Sequence, residues 1–152
     1  MSKVTKIHRP FISYSLVFFQ FLLIGLLVLS LPWQSLPKWT AFTAILAVIL
    51  GGWGVWVMRV GGFNVVPDPH SQCQLVEHGP YRWIRHPMYS SILLFFWPMV
   101  LTQPLGWPWL WMSLLTLDLL IKLHYEERLL AEKICGYRAY QQRSHKILPP
   151  LF

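Results

Sequence analysis

The chain carries little charge and very little acid. Charged residues make up 12% of its 152 positions, with six Asp and Glu against thirteen Lys and Arg. Soluble domains hold roughly 25% charged residues, so an ordinary water-facing surface is excluded for most of the chain. Cysteine is scarce as well. Cys73 and Cys135 have neither disulfide-framework nor metal-ligand spacing. Both fall in segments read as cytoplasmic, where reduced thiols are expected, and no metal site is expected. A Gly-rich phosphate loop is missing: Gly51-Gly52-Trp53-Gly54 lies inside an apolar run and fits no dinucleotide fingerprint. Paired histidines at i, i+4 and a nucleophile elbow are missing too.

What is present in excess is apolar surface. Hydrophobic residues reach 55% and the mean hydropathy is +0.43. A soluble protein of one small domain has too little interior to hide so much, so the composition reads as an integral membrane protein. The net charge of +7 and the pI of about 9.7 do not indicate nucleic acid, because the basic residues flank apolar segments. That is where the positive-inside rule places them.

Residues 11–31 form a run of 21 without a charge, long enough to cross ~30 Å of hydrocarbon. A cleaved signal peptide is the alternative, since Lys3, Lys6 and Arg9 precede it. The run exceeds a usual signal core and lacks a clear small-residue cleavage site, so it reads as a retained span. Residues 39–58 form a second span, in which Gly51, Gly52 and Gly54 permit close helix approach. Gly61-Gly62 ends it, and residues 63–80, with three prolines, read as an ordered loop. A third span covers residues 87–103, with Pro87 in its first turn and Pro98 as an expected kink. Residues 104–108 form a tight turn. The fourth span, 108–121, continues as a helix past the membrane surface, followed by an amphipathic pattern through about Arg143.

Twelve of the thirteen Lys and Arg lie on one side of these spans, and only Lys38 lies on the other. The expected arrangement is therefore a single all-α domain over residues 1–152, with both termini cytoplasmic, in a bacterial inner membrane.

The polar residues that could do chemistry concentrate at two places. Arg85 and His86 stand at the start of the third helix, where free N–H groups attract anions. They suit a ligand carboxylate or phosphate; equally, Arg85 could touch lipid headgroups while His86 caps a turn. Tyr81, Trp83 and Tyr89 flank the junction as membrane anchors or as ring faces for a cation. Asp118, Lys122 and Glu126 follow at i, i+4 and i+8, on one helix face. An acid within a span faces the bundle interior or a wet cavity. The alternative is a self-neutralising Asp118–Lys122 pair with a snorkelling lysine. Glu126-Glu127 could take the hydroxyls of a ribose or the charge of a cation.

These residues also carry a resemblance. Gly79-Pro80-Tyr81, then Arg85-His86-Pro87-Met88-Tyr89, then Glu126-Glu127 and Tyr137-x-x-Tyr140 resemble the isoprenylcysteine carboxyl methyltransferase family, which belongs with the membrane phospholipid methyltransferases. The resemblance covers about residues 63–149, and Leu75-Val76 precedes its glycine. It implies a helical membrane enzyme that binds S-adenosylmethionine at its cytoplasmic face, through elements 63–89 and 122–149. By the same resemblance the cofactor contacts are Leu75, Val76, Gly79, Tyr81, His86, Pro87, Tyr89 and Glu126. Asp118 and Lys122 fall on the substrate side, and Lys122, Glu127 and Arg85 are the candidates for a catalytic role. Eukaryotic prenylcysteine enzymes carry an arginine where this chain has Lys122, and a lysine keeps the charge but loses the bidentate fork. The stretch before Tyr137 is also one residue shorter than usual.

The function expected is methyl transfer from S-adenosylmethionine to a small or lipophilic acceptor that arrives from the bilayer. Membrane lipids are the surroundings, and no nucleic acid is involved. One rival is a nicotinamide-dependent reductase of the sterol-reductase type, whose corresponding element resembles Arg-His-x-Asn-Tyr. Another is a non-catalytic membrane subunit that retains the pocket.

Overall fold

A computed structural model describes residues 10–61 and 75–147. Cys73, the basic residues Lys3, Lys6 and Arg9, and most of the 63–80 loop lie outside the described residues. Five α-helices account for nearly all of the structure: α1 Pro10–Ser30, α2 Lys38–Gly61, α3 Pro87–Leu101, α4 Trp107–Lys133 and α5 Tyr137–Arg143. Two 3₁₀ turns, Trp33–Ser35 and Gly79–Arg82, join them. Among the described residues there is no strand, only one isolated parallel bridge between Ile84 and His145.

Two helices, α1 and α2, are long and apolar enough to cross a membrane, each with a mean hydropathy of 2.0 over its best window. Their exposure argues the same way. A core helix of a soluble protein hides its apolar residues, whereas here Phe11 (82% exposed), Leu29 (85%) and Trp56 (71%) point outward. Ser13, Gln20 and Thr40 of these helices are buried, beside Leu23, Leu27, Ala47 and Val57. Such a pattern suits a helix bathed in hydrocarbon, where polar groups must find partners within the protein.

α1 packs on α4, α2 packs on α3, and α3 meets α4. The apolar core lies between α1, α3 and α4, with Leu27, Val100, Met112, Leu115, Leu119 and Leu123 wholly buried. Small residues bring α2 against α3. A Cβ on Gly51 would stand 2.8 Å from Ser91 Oγ, and one on Gly54 would stand 3.3 Å from Pro87 Cγ. Gly52 meets nothing within 4 Å, so two of the three glycines face the contact.

The helix ends differ from the sequence expectation in two places. Span three stops at Leu101 rather than 103, because Thr102 and Gln103 close a turn onto Met99 and Val100. The fourth helix, Trp107–Lys133, continues past the apolar stretch as expected. The amphipathic run to Arg143 is not one helix: Gly136, at φ +86°, breaks it and starts α5. A positive φ is readily adopted by glycine, which has no Cβ to clash.

Candidate functional site

The polar residues of the two sequence clusters converge where α3 begins. Trp83–His86 lies alongside His145–Ile147. Arg85 N–H donates to the His145 carbonyl at 2.8 Å, His86 N–H to the Lys146 carbonyl at 3.1 Å, and His145 N–H to the Trp83 carbonyl at 2.9 Å. Ser90 Oγ, one turn into α3, donates to the Ile147 carbonyl at 2.6 Å. This clasp ties the end of the chain to the start of the third helix.

Arg85 is the centre of the clasp. Its Nε donates to Glu127 Oε1 at 2.6 Å, and its Nη1 donates to the carbonyls of Gln141 (2.9 Å) and Ser144. Both side chains of the Arg85–Glu127 pair are nearly buried. The sequence suggested donors for a ligand anion here; the structure commits these donors to protein oxygens.

His86 approaches the same Glu127 oxygen, and Glu126 as well. Its ring is stacked parallel to that of Tyr89, with 5.3 Å between centroids. Nδ1 lies 3.3 Å from Glu126 Oε2, while Nε2 lies 3.7 Å from Glu127 Oε1, too far for a hydrogen bond. Nε2 is buried and has no hydrogen-bond partner among the described residues. Burial opposes a charge on His86, but the two carboxylates outweigh it and raise its pKa above 6.5. Burial likewise opposes the Glu127 carboxylate, and His86 and Arg85 together hold its pKa below 4.5. Arg85 does this by a direct hydrogen bond and by its charge, and His86 from 3.7 Å away.

Tyr89 OH donates to Glu126 Oε1 at 2.7 Å. Above the Tyr89 ring, at 5.3 Å, stands the ammonium of Lys122, which donates to Gln20 Oε1 at 2.5 Å. Lys122 is 3% exposed. It is therefore an interior lysine held by α1, not one that snorkels to the membrane surface. Asp118, one turn further along α4, is buried too, and its Oδ2 has no partner among the described residues. Asp118 and Lys122 do not form an ion pair within 4 Å, so the self-neutralised pair is not what the structure holds.

The remaining candidates shape the loop. Gly79 has φ +62°, and a Cβ there would lie 2.8 Å from Val57 Cγ2, so this glycine seats the 3₁₀ turn on α2. Tyr81 is buried, its OH 3.5 Å from the Gly54 carbonyl, while its own carbonyl accepts from Tyr140 OH at 2.5 Å. Burial pushes the phenols of Tyr81, Tyr137 and Tyr140 up, Tyr140 to about 12, so they stay protonated and donate hydrogen bonds. Pro87 is buried against α2, and Leu75 and Val76 are half-buried beside the turn. Cys135 is an exposed free thiol apart from these contacts.

Sequence reasoning missed Gln20, Ser90, Ser144 and His145. Gln20 had a readable signal, a lone amide in the middle of a charge-free span. The other three act through pairing across more than fifty residues, which no local pattern announces.

Comparison with known families matches residues 39–136 to the phospholipid methyltransferases. That covers more than half of the chain, and the chain belongs to this family. No curated protein and no solved structure matches it. The match supports a methyl-transfer enzyme associated with membranes; neither the reductase nor the non-catalytic reading gains support from it.

Proposed function

We propose that this protein transfers a methyl group from S-adenosylmethionine to a lipid-type acceptor at the cytoplasmic face of a bacterial inner membrane. α1, α2, α3 and the apolar part of α4 are its four spans, and both termini face the cytoplasm. The reading rests on one observation above all: a buried His86 whose Nε2 is unpartnered, set between two carboxylates and stacked on a tyrosine.

The residues suit this cofactor. S-adenosylmethionine combines a carboxylate, ribose hydroxyls and a sulfonium cation, and when bound it supplies an electrophilic methyl group. His86 Nε2 offers an unused donor. Glu126 keeps acceptor capacity beyond its bond from Tyr89, for hydroxyls or for cationic charge. Half-buried Leu75 and Val76 give apolar contact, while Gly79, Tyr81 and Pro87 fix the backbone that carries the site. Lys122 faces the acceptor, one turn deeper than Glu126. Methyl transfer is a direct displacement, so aligning the two reactants is the main task of these residues.

Calorimetry on detergent-purified protein tests the cofactor assignment. The parent should bind S-adenosylmethionine, and His86→Ala should bind it about 1–3 kcal/mol more weakly. Equal binding by parent and variant would overturn the site. Reporter fusions at the C-terminus and at Ser35 test the topology; a periplasmic-active reporter at the C-terminus would sink four spans.

A further inference from the structure

Three buried polar groups of the bundle, Asp118, Lys122 and Gln20, are not explained by the cofactor. Asp118 is 8% exposed, and its Oδ2 lacks a hydrogen-bond partner among the described residues. Lys122 lies four residues on and on the same face, about 6 Å along the axis. The Lys122 charge acts on the Asp118 carboxylate without forming an ion pair, so one small polar group could reach both. Gln20 is 8% exposed and closes the cluster from α1. Tyr89 OH is already committed to Glu126.

A buried acceptor without a donor is costly, and a ligand that brings a donor removes the cost. Charge decides which ligand. Glu126 also acts on Lys122, but it is held by Tyr89 and His86, which leaves Lys122 and Asp118 to balance one another. An ammonium would leave the subsite with an excess positive charge, and a carboxylate with an excess negative one, in apolar surroundings that penalise both. An uncharged hydroxyl keeps the balance: it donates to Asp118 and accepts from Lys122.

Building on the methyl-transfer reading, we propose that Asp118, Lys122 and Gln20 form the acceptor subsite, and that its reacting group is the hydroxyl of a lipophilic phenol. As the new oxygen–carbon bond forms, the methyl–sulfur bond breaks and its electron pair stays on sulfur. The hydroxyl proton passes to Asp118 Oδ2. The Lys122 ammonium stabilises negative charge that develops on the oxygen, and Gln20 is a positioning residue that holds the ammonium in place. A phenol is favoured over an alkanol because its proton is far more acidic, with a pKa of about 10, well below that of a water-like hydroxyl. Gln20 lies outside the matched residues 39–136, so this part of the specificity comes from beyond the family's matched region.

The test uses full-length protein in detergent with a deuterated methyl donor and four acceptors of equal alkyl chain: a phenol, an alkanol, an amine and a fatty acid. Mass spectrometry should find the labelled phenol ether as the main product. Asp118→Asn should keep its affinity for S-adenosylmethionine and its melting temperature, yet lose about 100-fold or more in kcat on the phenol. In calorimetry without donor, the parent should bind the phenol more tightly than its methyl ether, and Asp118→Asn should narrow that preference. Preferred methylation of the amine or the fatty acid, or parental kcat in Asp118→Asn, would overturn the inference. Binding of S-adenosylmethionine with no methylation of the phenol would also overturn it, while leaving the cofactor assignment standing. A parent that fails to bind S-adenosylmethionine would overturn both.

Discussion

Arg85 and His86 are neighbours in the chain, yet they belong to two differently built regions. On the Arg85 side, polar groups meet protein partners: Glu127, the Gln141 and Ser144 carbonyls, and the backbone pairing of 83–86 with 145–147. On the His86 side, Nε2 of His86 and Oδ2 of Asp118 are buried and have no hydrogen-bond partner among the described residues. A saturated polar network holds a structure together, whereas an unsaturated one has capacity for a ligand. The difference separates what fastens this bundle from what it works with.

Breaking the fastened side should have the largest effect. Arg85→Ala leaves Glu127 buried without its cation, and should destabilise the protein by about 3–5 kcal/mol. Arg85→Lys keeps the charge but not the fork of donors, and should recover only part of the loss. Thermal unfolding in detergent reads both; an Arg85→Ala variant as stable as the parent would erase the distinction between the two regions.

The working side should respond in turnover rather than in stability. Lys122→Met should leave the affinity for S-adenosylmethionine nearly unchanged and lower turnover by about 10²-fold, through a misplaced acceptor. Full turnover in this variant would move the acceptor site elsewhere. A smaller change is expected for Glu126→Gln, which should weaken cofactor binding by about 1–2 kcal/mol. Calorimetry that finds no change would remove Glu126 from the cofactor's contacts.

The smallest effect joins the two regions. His86, its pKa raised, stabilises the fold fully below pH 6.5 and progressively less as pH climbs through its folded value. Glu127, its pKa lowered, stabilises fully above pH 4.5, and this is lost as pH falls through its folded value. Their joint contribution should be greatest between pH 4.5 and 6.5. Melting temperatures across pH check this, and Glu127→Gln should flatten the acid limb.

How much of this could be read in advance varies from residue to residue. The apolar runs announced α1 and α2 to within a few residues, because charge-free length is a local property. The i, i+4, i+8 spacing placed Asp118, Lys122 and Glu126 on one face, and α4 bears them together beside Tyr89. The break at Gly136 was missed, since amphipathic spacing continues through it and only the backbone shows the positive φ. Arg85 reads equally as a donor for a ligand or as a contact for lipid headgroups, because its sequence neighbours cannot reveal that Ser144 and Gln141 lie within its reach.

By itself, the sequence determined a helical, membrane-associated chain, the family of its central segment, and the residue types that gather at the start of the third helix. The first and the last follow from composition or from spacing along one element, and the family from the motifs between Gly79 and Tyr140 that resemble it. Tertiary structure alone decided which of those polar groups are satisfied. Arg85 is filled by a segment some sixty residues away, Lys122 is held by an amide on the first helix, and Asp118 is left open. Hydrogen bonds are made or withheld by distances in space, and a chain's order does not fix those until its helices have packed.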